Sequence, residues 1–283
     1  MDRGNVVVTG ASTGIGRACA LRLSELGFVV FAGVRKQEDG DSLRRTAKGS
    51  MTPLRLDVTD EGSIQESVTA LNGKPLAGLV NNAGIAVSGP LELVPLDLWR
   101  KQFEVNVLGQ VAVTQAFLPA LRMGRGRIVN MSSIGGRIAL PLAGPYAGSK
   151  FALEGISDAL RREVRQWGIT VSIIEPGAIL TPIWDKSLGD VDAMIGRIPT
   201  DKYDLYRRLI EAMRGLVAAT VKTASPVELV VEAVERALTA RKPKTRYLVG
   251  RDAKARVLLT RLPDSLVDSL ILNRVDSIRP TSN

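Results

Sequence analysis

Short β-branched runs alternate with longer stretches of helical period along most of this chain. The apolar runs fall at residues 5–9, 28–34, 53–56, 78–81, 127–132, 170–175 and 245–249. Each is too short for a helix, most are rich in β-branched residues, and each reads as a strand. Between them, residues 15–26, 63–71, 98–121, 146–167 and 227–238 repeat apolar positions at i, i+3 and i+4 and read as helices. The strands are apolar on both faces, as they are when helices cover a sheet above and below. The alternation therefore predicts an α/β fold, a single domain over residues 1–250 built on a doubly wound parallel sheet. After Pro176-Gly177 the pattern loosens, and residues 178–225 are expected to form a substrate lid. Residues 251–283 read as a basic C-terminal helical extension, whose apolar positions between Leu262 and Ile271 recur at helical spacing. That stretch either caps the domain, the preferred reading, or lies on a membrane surface.

Composition narrows the chemistry. A chain of 283 residues with 45% hydrophobic and 24% charged residues has ample length for a buried core. No apolar run approaches the roughly 18 residues of a membrane span, and residues 1–4 lead into the first strand without a signal-peptide core, so a cytoplasmic protein is expected, with peripheral membrane contact through the tail left open. Net charge is +9, and residues 241–283 hold ten Lys or Arg against four Asp. No nucleic-acid motif accompanies this basic tail, and aromatics are only 4%, so no nucleic-acid partner is expected. The chain has no histidine and one cysteine, Cys19. Zinc catalysis, Ser-His-Asp hydrolysis and Cys-His chemistry are thereby excluded, and Cys19 reads as a small core residue.

Proton transfer near neutral pH must then use something other than imidazole. Tyr146 and Lys150 are four residues apart, which places both on one helix face, where an ammonium can stabilise a phenolate. This spacing alone is weak evidence. A second feature stands directly after the first strand: Thr9-Gly10-Ala-Ser12-Thr13-Gly14-Ile15-Gly16, running into an amphipathic segment. Glycines at a strand-to-helix turn let the backbone approach a pyrophosphate, whose charge the helix N-terminus favours. The spacing is Gly-x3-Gly-x-Gly and there is no Walker lysine, which argues against a nucleotide triphosphatase.

Thr9-Gly10-x3-Gly14-x-Gly16, Asn81-Asn82-Ala83-Gly84, Asn106, Ser133 and Tyr146-x3-Lys150 together resemble the short-chain dehydrogenase/reductase family, each in that family's order and spacing. The resemblance covers residues 5 to about 250. It implies a Rossmann fold and a catalytic set of Asn106, Ser133, Tyr146 and Lys150. Tyr146 would be the general acid/base, Lys150 would lower its pKa and hold the nicotinamide ribose, Ser133 would polarise the substrate oxygen, and Asn106 would hold a water linking Lys150 to solvent. The cofactor would be bound by Gly10, Ser12, Thr13, Gly14, Ile15 and Gly16, by Asp57 and Val58 at the adenine, by Asn82, Ala83 and Gly84 along the groove, by Tyr146 and Lys150, and by Pro176, Gly177, Ile179 and Thr181 beside the nicotinamide.

The second strand ends Val34-Arg35-Lys36. An acidic residue there would bind a ribose 2'-hydroxyl, whereas arginine attracts a 2'-phosphate; Val34 stands where NAD-preferring relatives carry Asp, so NADP(H) is expected over NAD(H), with Arg35 binding the phosphate. Loop 135–145 and the lid residues Ile183, Trp184, Met194, Ile195, Met213 and Leu216 offer apolar surface, either for a hydrophobic alcohol or carbonyl or for packing the lid onto the domain. The extended lid and basic tail resemble the steroid and retinoid branch. A homodimer or homotetramer is expected from the family, through helices 98–121 and 146–168. The alternative function is a noncatalytic NADP-sensing or surface-binding protein on the same fold.

Overall fold

Along the first strand, Val6, Val7 and Val8 turn alternately to two cores. The computed structural model describes residues 3–182, 184, 192, 194–196 and 198–277. Seven strands, β1 (Asn5–Val8), β2 (Val29–Val34), β3 (Met51–Arg55), β4 (Leu76–Asn81), β5 (Arg127–Met131), β6 (Thr170–Pro176) and β7 (Arg246–Val249), form one parallel sheet in the order β3-β2-β1-β4-β5-β6-β7. Strand order reverses between β1 and β4, which opens a crevice beyond their carboxyl ends. Val6 and Val8 of β1 face a core shared with Cys19, Ala20 and Leu23 of α1 (Gly14–Glu25) and Val230 and Val234 of α8 (Glu228–Thr239). Val7, between them, faces the other core, with Ile64 of α3 (Glu61–Ala70) and Val113 and Phe117 of α5 (Gly109–Gly124). The period of two along β1 thus becomes two helical layers, one on each face.

Four departures from the expected pattern have physical reasons. Helix α2 (Gln37–Thr46) has only Gly40 and Leu43 buried, too little apolar signal for a periodicity to register. The helix expected over 98–121 is α4 (Leu96–Phe103) and α5 joined by a π turn at Glu104–Leu108, with Asn106 inside it. The loosened segment contains a 23-residue helix, α7 (Thr200–Lys222), on which the buried residues are Ile210, Ala212 and Met213. Its charged remainder hides the helical period. The helix expected over 146–167 is α6 (Gly144–Glu163), finished by a short 3-10 turn.

The extension forms α9 (Arg251–Leu259) and α10 (Asp264–Asp276), separated by Pro263. Ala253, Val257, Val267 and Ile271 pack around Ile134 and Ile138, while Val275 meets Ala212 and Met213 of α7 with Leu140 and Leu142. The inward face of the tail therefore caps the domain, and it does so over the loop that follows Ser133. Ile183 and residues 278–283 lie outside the described residues.

Candidate active site

The glycine loop is held by hydrogen bonds to backbone. Asn82, just after β4, donates from Nδ2 to the carbonyls of Thr9 (3.0 Å) and Gly10 (3.1 Å), while the Thr9 hydroxyl accepts from the amides of Asn82 and Ala83, both at 3.0 Å. Gly10 has φ +62°, a conformation side chains resist, and a Cβ on Gly16 would sit on the Gly10 carbonyl oxygen. The loop is consequently flat and close, the shape a pyrophosphate needs at the start of α1, with Ser12 half-buried and Thr13 exposed at its rim. Gly14 faces Thr181, which brings the segment after β6 across the mouth of the groove.

Farther along, Val34 is buried and Arg35 exposed at the end of β2. Arg35 is near enough to act on Asp57, whose carboxyl lies below its usual range: burial pushes it up, but hydrogen bonds from the Thr59 amide and hydroxyl, with the Arg35 charge, outweigh that. Val58 is buried with its carbonyl against Gly109 at the start of α5. These residues fit a dinucleotide lying across the carboxyl ends of β1, β2 and β4, with the glycine cradle as the observation that decides the fit.

On the other side of the crevice, Ser133 follows β5 and Tyr146 and Lys150 occupy successive turns near the start of α6. Ser133 accepts from the Gly135 amide at 3.0 Å and donates to the Pro176 carbonyl at 3.5 Å, and its hydroxyl and the Tyr146 ring lie together against Gly135. Burial pushes the Tyr146 phenol above its ordinary value, and the nearby Ser133 hydroxyl opposes the rise. Lys150 is buried, donates from Nζ to the Met131 carbonyl at 2.8 Å and stands 5.7 Å from the Tyr146 ring centre. Burial pulls its ammonium down to about 8, against the raising effect of the Glu154 charge.

Asn106 is fully buried, and its amide is occupied: Oδ1 accepts from the Ile85 amide at 2.8 Å, and Nδ2 donates to the Ile85 carbonyl at 3.0 Å and to the Ser149 hydroxyl at 3.2 Å. The side chain therefore secures the segment after Gly84. Gln102, not singled out in the sequence, does the same one turn earlier, accepting from the Val87 amide at 2.7 Å and donating to the Ile85 carbonyl and Ser149. Asp252 is a second residue that no motif signalled. Its carboxylate accepts from the Ala178 amide at 2.8 Å and lies against Gly177, which fixes the turn Pro176-Gly177. Ile179 is buried and its carbonyl accepts from the Trp184 indole at 2.7 Å.

A cradle for a dinucleotide thus faces a serine and a tyrosine brought side by side, with a buried lysine behind them. The chain matches the short chain dehydrogenase family over residues 4–191. It belongs to the short-chain dehydrogenase/reductase family. The family member is 37% identical to mouse retinol dehydrogenase 5 over 282 residues, covering 94% of this chain and 87% of that protein. It is 36% identical over 277 residues to an NADPH-dependent 3-dehydrocapnine reductase of Ornithobacterium rhinotracheale, covering 93% and 94% of the two chains. Among solved structures, a short chain dehydrogenase of Burkholderia cenocepacia in complex with NADP is 25% identical with a TM-score of 0.74, covering 96% of this chain and 98% of that one. One from Burkholderia phymatum in complex with NAD shares the fold at 24% identity and a TM-score of 0.77, covering 100% and 98%. The protein is accordingly an oxidoreductase that uses a nicotinamide cofactor on small alcohols or carbonyls, and the noncatalytic alternative is not favoured.

Proposed function

We propose that this reductase transfers a hydride between NADP(H) and a secondary alcohol, ketone or aldehyde of apolar, steroid-, retinoid- or lipid-like type, with Tyr146 as general acid and base. The observation that carries the reading is the placement of the Ser133 hydroxyl and the Tyr146 ring together against Gly135, with the buried Lys150 5.7 Å from the centre of that ring. In reduction, the cofactor supplies the hydride to the carbonyl carbon. The Tyr146 hydroxyl gives its proton to the oxygen as that oxygen becomes an alkoxide, and the Ser133 hydroxyl donates a hydrogen bond to the same oxygen. Lys150, as ammonium, stabilises the phenolate that remains and reaches for the nicotinamide ribose. Asn106 and Gln102 keep the chain at Ile85–Val87 in place along the groove. In oxidation the proton runs the other way.

Preference for NADP(H) rests on Arg35 exposed beside a buried Val34, an arrangement that leaves a guanidinium, and no carboxylate, for the 2'-position. The relative named for NADPH dependence supports it. The lid's bearing on substrate is narrower than its sequence suggested, since Ile138, Leu140, Leu142, Met213 and Leu216 pack against one another and against the tail. What stays exposed near the site is Leu180, beside Thr181, and Leu91, whose side chain lies against Gly144. These two suit an apolar substrate.

Exposed Leu108, Met123 and Phe151 on the outer surfaces of the π turn, α5 and α6 support pairing of copies through those helices. No helix among the described residues is long and apolar enough to cross a membrane. Exposed Leu262, Leu266 and Leu270 near Lys254 and Arg261 would suit peripheral contact. The function is tested by following NADPH consumption over carbonyl compounds graded in size and apolarity. Catalytic efficiency should rise with apolar bulk and be higher with NADPH than with NADH; a preference for small polar carbonyls, or for NADH, refutes the corresponding part.

A further inference from the structure

Behind Lys150 lies a ladder of buried and half-buried charge assembled from four parts of the chain. Glu154, one turn farther along α6 and buried, accepts through Oε2 from Arg246 Nε at 3.0 Å. Arg246, at the start of β7, also approaches Glu175 Oε1 at 3.2 Å and donates to Asp158 at 2.9 Å, and Arg161 bridges to Asp158. Glu175, 1% exposed at the end of β6, accepts from Arg137 at 3.0 Å, and Arg137 belongs to the loop after Ser133. A purely structural ion ladder would satisfy its members and stop there. Here two members are left with bare atoms, Arg161 Nε at the far end and Glu154 Oε1 at the end next to Lys150, and a buried carboxylate oxygen left bare is costly.

We propose that Glu154 is a positioning residue for Lys150: its carboxylate is the counter-charge of the buried ammonium, and Arg246 holds it there. Lys150 and Glu154 are at i and i+4 on one helix face and both out of solvent; they make no direct ion pair, so the carboxylate acts on the ammonium through space, where little water screens it. The other charged groups around the cluster are Asp158 and Arg161 from α6, Glu175 from β6, Arg246 from β7 and Arg137 from the loop. Of all these, Glu154 is the one whose charge bears on Lys150. Glu175 is less suited to that task, because burial and then the neighbouring Glu154 charge push its carboxyl up, with Arg137 opposing. Because Lys150 has its ordinary protein partner in the Met131 carbonyl, a neutral group, a charged neighbour is what favours the ammonium form over the amine.

The inference rests on the role given to Lys150 above, so the test reads the lysine directly as well as turnover. In protein carrying 13C-labelled lysine, the Lys150 signal, identified by its loss in Lys150→Arg, is titrated in the cofactor-free enzyme, where it should change near about 8. Removing the carboxylate in Glu154→Gln disfavours the ammonium, so the lysine should give up its proton at lower pH, by about one unit. Asp158→Asn, a charge lost from the same ladder, should leave it in place. Glu154→Asp should move it down by less than Gln does, and carries the test if the Gln variant does not fold. The alkaline limb of carbonyl reduction should move with the lysine, with turnover retained on the acid side. A Lys150 titration unchanged in a folded Glu154 variant, or moved equally by Asp158→Asn, overturns the proposal. A lysine that moves while the activity limb does not would sustain Glu154 and remove Lys150 from the mechanism.

Discussion

The two walls of the crevice are held by different forces. On the β1–β4 wall, Asn82 reaches the Thr9 and Gly10 carbonyls, and the Thr9 hydroxyl takes two amides, so side chains clamp backbone at about 3 Å. On the opposite wall, Leu140 and Leu142 of the loop, Met213 of α7 and Val275 of α10 meet as apolar side chains. A hydrogen bond to backbone fixes both the residue type and its distance along the chain, whereas an apolar contact asks only for about the right volume. The glycine-loop wall is therefore the inflexible one, and the apolar packing that backs the loop after Ser133 can be rebuilt while the proposed chemistry stays.

The largest effect is expected at the seam between the walls. Tyr146→Phe removes the proton donor and leaves the ring, so turnover should fall by about 10²- to 10⁴-fold while thermal unfolding and cofactor affinity stay near wild type. Stopped-flow reduction with a carbonyl from the screen checks it; near-normal turnover in a folded variant would contradict the mechanism. Next comes Gly16→Ala on the cofactor wall. The added methyl meets the Gly10 carbonyl and the Asn82 amide, neither of which can retreat. With an overpacking cost of about 1–3 kcal/mol falling on the loop that binds the cofactor, NADPH affinity should drop by up to about 100-fold. The carbonyl KM at saturating cofactor should hold, and a variant that binds NADPH normally would show that the loop is more yielding than its contacts imply.

What could be read from the sequence follows the same division. Gly10, Gly14, Gly16, Asn82, Ser133, Tyr146 and Lys150 were legible because each obeys a local rule, a fixed spacing or a strand-to-helix turn. Asp252 and Gln102 were not, since their partners at Ala178 and Ile85–Val87 are brought to them only by the fold. The ladder of Glu154, Arg246, Glu175 and Arg137 joins a helix, two strand ends and a loop, and no one-dimensional pattern records such a meeting. Helix α2 escaped notice for want of apolar residues, and α7 for an excess of charged ones. Conversely, the burial of Cys19 was anticipated; its thiol is pushed up to about 12, which suits a packing residue on α1.

Arg35 offers a gentler trial of the cofactor wall. It is exposed, so the proposed hold on a 2'-phosphate would be screened by water and salt. Arg35→Ala should weaken NADPH by about tenfold at low ionic strength and less at high salt, with NADH little affected. Fluorescence titration with both cofactors at two salt concentrations separates this from a general loss of binding, which would lower both equally and refute the assignment.

The smallest change is expected on the apolar wall. Val275 is 5% exposed and packs α10 against Met213 and the loop residues Leu140 and Leu142. Val275→Ala removes two methyl groups and leaves a small cavity, a loss of about 1–2 kcal/mol where neighbours cannot fully close in. Here they are flexible leucine and methionine side chains on separate elements, so part of the space should be recovered and the lower figure applies. Since α10 touches the loop after Ser133 and not the glycine loop, the carbonyl KM should rise about threefold with the NADPH dissociation constant unchanged. The opposite pattern, weaker NADPH with an unchanged carbonyl KM, would mean that the walls are mechanically coupled, and the contrast between them would fail at its weakest contact.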